Sequence, residues 1–108
     1  MSDYLFIQSQ DPFTEIATTS QYQLATQLSQ AGNSVTVLLV QNGVVPARRN
    51  ARSEAFDQLL QSGVTVIADD FSLHQREIAD SDLKDNIAVT SIHKVIDAML
   101  AGHKVIWN

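Results

Sequence analysis

The stretch VTVLLV, residues 35–40, decides the fold of this 108-residue chain. Apart from Thr36, every side chain in it is Val or Leu, a composition that predicts a β-strand. The apolar residues are continuous rather than alternating, which indicates burial on both faces, as in the middle of a parallel sheet. A central parallel strand needs helical crossovers to its neighbours, so the flanking sequence should alternate between helices and strands.

The flanking sequence has that alternation. Apolar runs predict four further short strands, at 3–8, 64–68, 87–90 and 104–107. Helical patterns lie between them, at 14–31, 53–63, 72–79 and from Ser91 to about Ala101. We therefore predict an α/β fold, a flavodoxin-like three-layer α/β/α sandwich with a five-stranded, mainly parallel sheet, in one domain spanning 1–108.

Three local features follow from the same patterns. Asp11 and Pro12 are expected to be the N-cap and first position of the first helix. Residues 42–52 are expected to form the one long loop, and the apolar stretch Val44-Val45-Pro46 in it is a candidate contact surface. The last helix is expected to bury its apolar face: Ile92, Val95, Ile96, Met99 and Leu100.

Composition restricts the classes of function. The net charge is −5, from 12 acidic residues against 7 Lys and Arg, which argues against a nucleic-acid partner. No apolar run approaches the roughly 20 residues of a transmembrane helix, and no basic segment precedes the first apolar run, so neither a membrane association nor a signal peptide is expected. We expect a cytoplasmic protein.

Ligands of open α/β sheets bind beyond the carboxyl ends of the strands. Gly43 is expected to adopt a positive φ or a tight turn there. The basic cluster Arg48-Arg49-Asn50-Ala51-Arg52 suits a small anion, because guanidinium groups bind phosphate, sulfate or carboxylate bidentately; a subunit contact and a solvated loop remain alternatives. The candidate ligand-binding residues are Ser9, Asn42, Gly43, Arg48, Arg49, Asp69, Ser72 and Arg76.

The adjacent acids Asp69 and Asp70 end the predicted strand 64–68. They could share a divalent cation, one of them could accept a phosphoryl group, or one could cap the next helix while the other is solvated. No nucleophile elbow, dinucleotide loop or phosphate loop is present. The sequence therefore predicts no catalytic residue, no metal site and no cofactor.

Several motifs together resemble the DsrE/DsrF-like family, the small α/β proteins of sulfur relays that include TusD-type subunits. The first helix ends in Ala31-Gly32, and the strand VTVLLV leads into Gly43-Val44. A helix ending in Leu-Leu-Gln-Ser-Gly precedes the third strand, and the chain closes with Lys-Val-Ile-Trp-Asn. The order and spacing of these motifs along the whole chain carry the resemblance.

The resemblance implies a persulfide-bearing cysteine six residues after Gly63, followed by a small residue and then Arg-Gly. This chain has Asp69 at the cysteine position, Arg76 at the arginine and Glu77 at the glycine, and it contains no cysteine at all. A carboxylate cannot hold a sulfane sulfur, because the transfer needs a thiolate that attacks and leaves. Direct sulfur transfer by this chain is therefore not expected.

The hypothesis that follows is a cysteine-less, non-catalytic member of a sulfur relay system, either an oligomeric subunit or an accessory protein that binds a small ligand or anion. As the resemblance implies, it would form a homo-oligomer (a trimer or hexamer) or a hetero-oligomer with related subunits. Two alternatives stay open. One is an enzyme that uses Asp69 as acid or base, and the other is a regulator that responds to a metal or phosphate at Asp69 and Asp70.

Overall fold

The computed structural model describes residues 1–108 and places five strands in one sheet. All neighbouring strands are parallel, in the order β4-β3-β2-β1-β5. The predicted α/β class and five-stranded sheet are confirmed. The strands are β1 (Asp3–Gln8), β2 (Ser34–Leu39), β3 (Thr65–Asp69), β4 (Ile87–Thr90) and β5 (Lys104–Trp107).

Four α-helices connect the strands: α1 (Ala17–Gln30), α2 (Glu54–Leu60), α3 (Asp70–Gln75) and α4 (His93–Leu100). The first three step the chain outward from β1 to β4. The fourth returns across the sheet and places β5 on the other side of β1. Because parallel crossovers are right-handed, reversing the direction of travel puts α4 on the opposite face of the sheet. None of the helices has both the length and the hydropathy to span a bilayer.

The strand β2 contributes to both hydrophobic cores, as its continuous apolar sequence predicts. Val37 and Leu39 point into the larger core, which α1, α2 and α3 cover. Leu38 points into the smaller core on the other face, which α4 covers. The larger core is built around Phe6, and its aromatic rings include an edge-to-face pair of Tyr22 and Phe56 with centroids 5.6 Å apart.

The apolar face of α4 is buried only in part. Val95 and Ala98 pack against the sheet, but the flank that was expected to be buried is exposed, by 51% at Ile92, 50% at Ile96, 61% at Met99 and 83% at Leu100. The expectation was wrong because α4 is the only helix on this face and has eight residues. It has no neighbouring helix to cover its side.

Two helix boundaries also differ from the sequence patterns. The helix α1 begins at Ala17 rather than at Pro12. The carboxylate of Asp11 instead accepts hydrogen bonds from the amides of Phe13 (2.8 Å) and Thr14 (2.9 Å), which close a separate turn before the helix. The helix α3 ends at Gln75 rather than at residue 79. Part of the expected long loop is ordered as a 3₁₀ helix, Gln41–Ala47.

Gly43 lies in this 3₁₀ helix at a close approach to β1. A Cβ atom built at Gly43 would lie 1.9 Å from the carbonyl oxygen of Gln8. Of the two expectations for Gly43, the tight turn is found, since its amide donates to the Val40 carbonyl at 2.8 Å, and the positive φ is not; the glycines with positive φ are Gly32, Gly63 and Gly102. Gly43 is therefore required because only a residue without a side chain lets the 3₁₀ helix cross the carboxyl end of β1.

We expect Gly43→Ala to lower the free energy of unfolding by about 3 kcal/mol, because the methyl group has no rotatable bond and the backbone must move to admit it. Gly32→Ala is the matched control. Its φ is +95°, but no atom lies within 4 Å of the added Cβ, so only backbone strain of about 1 kcal/mol is expected. Urea denaturation of both variants measures the difference, and equal losses would contradict the role given to the close approach.

Candidate functional site

The carboxylate of Asp69 connects the ends of two strands. Asp69 is the last residue of β3 and caps α3, accepting hydrogen bonds from the amide (3.0 Å) and the hydroxyl (2.7 Å) of Ser72. The Ser72 oxygen in turn accepts a bond of 2.8 Å from the amide of Gln41, just after β2. Both side chains are buried. We call Asp69, Ser72 and the Gln41 amide the carboxylate clamp.

The carboxylate clamp holds an unfavourable backbone conformation. Gln41 has φ +51°, in the left-handed region that residues other than glycine rarely adopt. The hydrogen bond from its amide to Ser72 stabilises this conformation. Asp69 is therefore the member of the acidic pair that caps the helix, while Asp70 is exposed.

Arg76 extends these contacts from the end of α3. Its Nε and Nη2 donate to the Asn42 side-chain oxygen at 3.3 and 3.0 Å, and its Nη1 donates to the carbonyl of Ser72 at 3.3 Å. The guanidinium group thus joins the 3₁₀ helix to α3. Asn42, Ser72 and Arg76 were all predicted as site residues, and the structure brings them together.

A cavity of about 450 Å³ lies next to Arg76, and we call it the arginine cavity. The backbone of Arg48 is held there by an antiparallel β-bridge to Leu83. The Arg49 amide donates to the carbonyl of Asp82 at 2.6 Å. These contacts bring residues 48–51 against the segment that follows α3. The lining residues are Arg48, Arg49, Asn50, Ala51, Arg76, Glu77, Ile78 and Asp82.

Glu77 occupies a position where glycine is usual. The amide of Ile78 bonds to the carbonyl of Leu73, and the amide of Glu77 bonds to that of His74, which is the Schellman pattern of a helix end. Glu77 accordingly has φ +55°. The resemblance placed a glycine at this position, so the backbone agrees with the register from which Asp69 was matched to the cysteine.

The structure separates Ser9 from the other predicted site residues. Both the amide and the hydroxyl of Ser9 donate to the carbonyl oxygen of Asn108, at 2.6 and 2.8 Å, which fixes the ends of β1 and β5. Only its backbone approaches Gly43. Of the eight predicted site residues, only Arg48, Arg49 and Arg76 line the arginine cavity; the others are Ser9, Asn42, Gly43, Asp69 and Ser72.

Sequence patterns missed two acidic residues of the cavity lining, Glu77 and Asp82. Glu77 was matched only to a glycine of the family, and Asp82 lay in a segment that reads as a solvated loop. The sequence did contain a signal for Glu77. A residue other than glycine costs free energy at a position where the family has glycine, so its side chain is expected to have a function. Asp82 carried no such signal, because its place depends on the pairing of residues 48 and 83.

A second group of polar atoms lies buried beneath α1. Gln8 Nε2, Thr18 Oγ1 and the Tyr22 hydroxyl have no hydrogen-bond partner. Burial raises the pKa of the Tyr22 phenol far above its usual value, and the carboxylate of Asp11 raises it further. The phenol therefore stays protonated through the ordinary pH range.

No group of three or more His, Cys, Asp or Glu side chains with a geometry suited to a metal ion is found.

Comparison with known proteins gives the following matches. The sequence model described as the DsrE/DsrF-like family matches residues 2–107. The fold is similar to that of the YchN protein from E. coli, with a TM-score of 0.86 and 16% identity, and to that of a protein of unknown function, MTH1491, from Methanobacterium thermoautotrophicum, with a TM-score of 0.81 and 18% identity. Both alignments cover 100% of each chain. No curated protein matches the sequence.

We expect Asp69→Ala to lower the free energy of unfolding by about 2 kcal/mol, because it removes a helix cap and leaves the buried Ser72 hydroxyl without its acceptor. Asp70→Ala, one residue later and exposed, should change it by no more than about 0.5 kcal/mol. Thermal or urea denaturation of the two variants gives the comparison. An Asp69→Ala protein as stable as the parent would show that the carboxylate clamp is dispensable.

Proposed function

This chain belongs to the DsrE/DsrF-like family, and we propose that it is a non-catalytic member that assembles with copies of itself or with related subunits and binds a small anion. The observation that carries the proposal is the carboxylate clamp. At the position where the resemblance implies a sulfur-carrying cysteine, Asp69 is buried and bonded twice to Ser72. The residue is used to stabilise the fold.

The absence of a thiol limits what the chain can do in a sulfur relay. The sequence contains no cysteine, and a persulfide forms only on a thiolate. A role in such a relay would therefore be in trans, through a partner subunit that carries the thiol. The scaffold would supply contacts and a binding cavity, and the partner would supply the chemistry.

An exposed apolar surface supports the assembly part of the proposal. Ile92, Ile96 and Met99 recur at helical spacing along α4, and all three are at least half exposed. Trp107 on β5 is 64% exposed, and it lies two residues after Val105, so it is on the same face of the sheet as Val105, which packs on the α4 side. We call these four residues the α4–β5 surface. Clustered exposed apolar side chains are typical of protein contacts.

The edge of the sheet supports the same surface. The strand β5 pairs only with β1, so its outer edge offers unpaired backbone groups to another chain. The contact surface expected from Val44-Val45-Pro46 is not available, because Val44 and Pro46 are buried beside β1 and β2. We therefore place the proposed contact on the opposite face of the sheet, at the α4–β5 surface.

The arginine cavity supports the anion part of the proposal. It brings together three guanidinium groups, of Arg48, Arg49 and Arg76. Arg48 donates a hydrogen bond only through its Nε, at 3.0 Å to the Val45 carbonyl, so both Nη atoms remain for a ligand. A planar guanidinium with two free Nη groups suits bidentate binding of an oxyanion.

For assembly, we expect light scattering after size exclusion to give a trimer or hexamer for the parent chain. Ile96→Asp should shift it to a smaller species, because a buried unpaired carboxylate is costly at an apolar contact. Ile16→Asp is the control, since Ile16 is 88% exposed before α1, away from the α4–β5 surface. A parent chain that stays monomeric, or equal effects of the two variants, would contradict the proposed surface.

For the anion, we expect calorimetric titration with sulfate to show saturable binding. Arg48→Gln should weaken it about tenfold, the effect of losing one charge-assisted hydrogen bond. Arg52→Gln is the matched control, because Arg52 belongs to the same basic cluster but does not line the arginine cavity. Absence of sulfate binding, or the same loss in both variants, would rule out this anion site.

A further inference from the structure

We propose that the ligand of the arginine cavity is dipolar: a small molecule that carries both an anionic and a cationic group, as an amino acid does. The inference rests on the proposed anion site and adds the class of ligand. It starts from the sign of the charges. Two carboxylates, of Glu77 and Asp82, line the same cavity as the three guanidinium groups.

These opposite charges do not neutralise one another. No ion pair within 4.0 Å joins any of the three arginines to Glu77 or Asp82. The one ion pair that involves a lining residue is between Arg49 and Asp85, at 3.7 Å, and Asp85 lies outside the cavity. Neither Glu77 nor Asp82 has a hydrogen bond to its side chain. The cavity therefore presents unpaired groups of both signs.

The backbone explains why the charges stay apart. The Arg48 guanidinium is anchored on the Val45 carbonyl, and that of Arg76 is anchored on Asn42 and on the Ser72 carbonyl. Glu77 is fixed at its φ of +55° by the Schellman hydrogen bonds at the end of α3. Two of the three guanidinium groups are thus held by neutral oxygens rather than by the acidic residues of the lining, which leaves a gap between the groups of opposite sign.

The gap favours a ligand with two charges over a simple anion. A sulfate or phosphate would satisfy the guanidinium groups but would also face two acidic residues, and like charges repel. A dipolar molecule places its anionic group with the arginines and its cationic group with Glu77 and Asp82. A volume of about 450 Å³ lies in the range of small-molecule sites, which bury whole ligands.

The conformation of Glu77 gives independent support. A glycine at this position would adopt φ +55° without strain, whereas an L-residue there costs on the order of 1 kcal/mol. Strain of this kind is retained where the side chain has a use. Here Glu77 lines the arginine cavity, where it adds a negative charge beside three arginines.

The test is a set of calorimetric titrations of the full chain with glycine and 4-aminobutyrate as dipolar probes, acetate as the matched anion, ethylammonium as the matched cation, and sulfate. We expect at least one dipolar probe to bind about tenfold more tightly than acetate and ethylammonium, because it makes charge-assisted contacts at both ends. The two dipolar probes differ in the separation of their charges, so together they sample the width of the gap.

The variants assign the effect to the cavity. Glu77→Gln and Asp82→Asn should each weaken the dipolar probe about tenfold while leaving sulfate binding equal or tighter, since a repelling carboxylate has gone. Glu54→Gln, outside the cavity, is the control and should change neither. Arg48→Gln should weaken both kinds of ligand.

Two results would overturn the inference, and they differ in what else they remove. If sulfate binds and neither dipolar probe exceeds acetate, or if Glu77→Gln and Asp82→Asn leave dipolar binding unchanged, the cavity is a plain anion site. The proposed function then stands without this inference. If sulfate does not bind, the proposed anion site fails, and the dipolar ligand that rests on it fails with it.

Discussion

The hydrogen bond from the Ser72 hydroxyl to the buried carboxylate of Asp69 is the contact on which the polar end of this molecule depends. Through Ser72 it holds the amide of Gln41, and Gln41 sets the direction of the 3₁₀ helix. That helix carries Asn42 to Arg76 and leads the chain to Arg48. The side chain of Asp69 at the end of β3 therefore connects both the strand ends and one wall of the arginine cavity.

The same residue explains how the chain can keep a family fold without the family chemistry. A thiol at position 69 would be a weak hydrogen-bond acceptor, whereas a carboxylate accepts from both the amide and the hydroxyl of Ser72. At position 69, a side chain that stabilises the local structure thus stands in the place of a reactive thiol. The residues that line the arginine cavity include no thiol, so the proposed binding of an anion needs no cysteine.

The fold followed from the sequence because its signals are local. VTVLLV alone predicts a strand that is buried on both faces, and β2 does contribute to both cores. The capping of α3 by an Asp was likewise among the expected outcomes. Long-range contacts could not be predicted in this way. The close approach of Gly43 to Gln8 and the place of Asp82 depend on chain crossings, and the exposed flank of α4 depends on the absence of a neighbouring helix.

Because α4 is the only helix on its face of the sheet, this face affects how readily a folded subunit opens and is degraded. The core under α4 has 7 buried residues, against 15 on the other face, so this layer should open before the rest. A neighbour seated on α4 would bind only the closed form and would suppress that opening by mass action. Resistance to proteolysis would then rise with abundance, and unpartnered copies would be the first to be degraded.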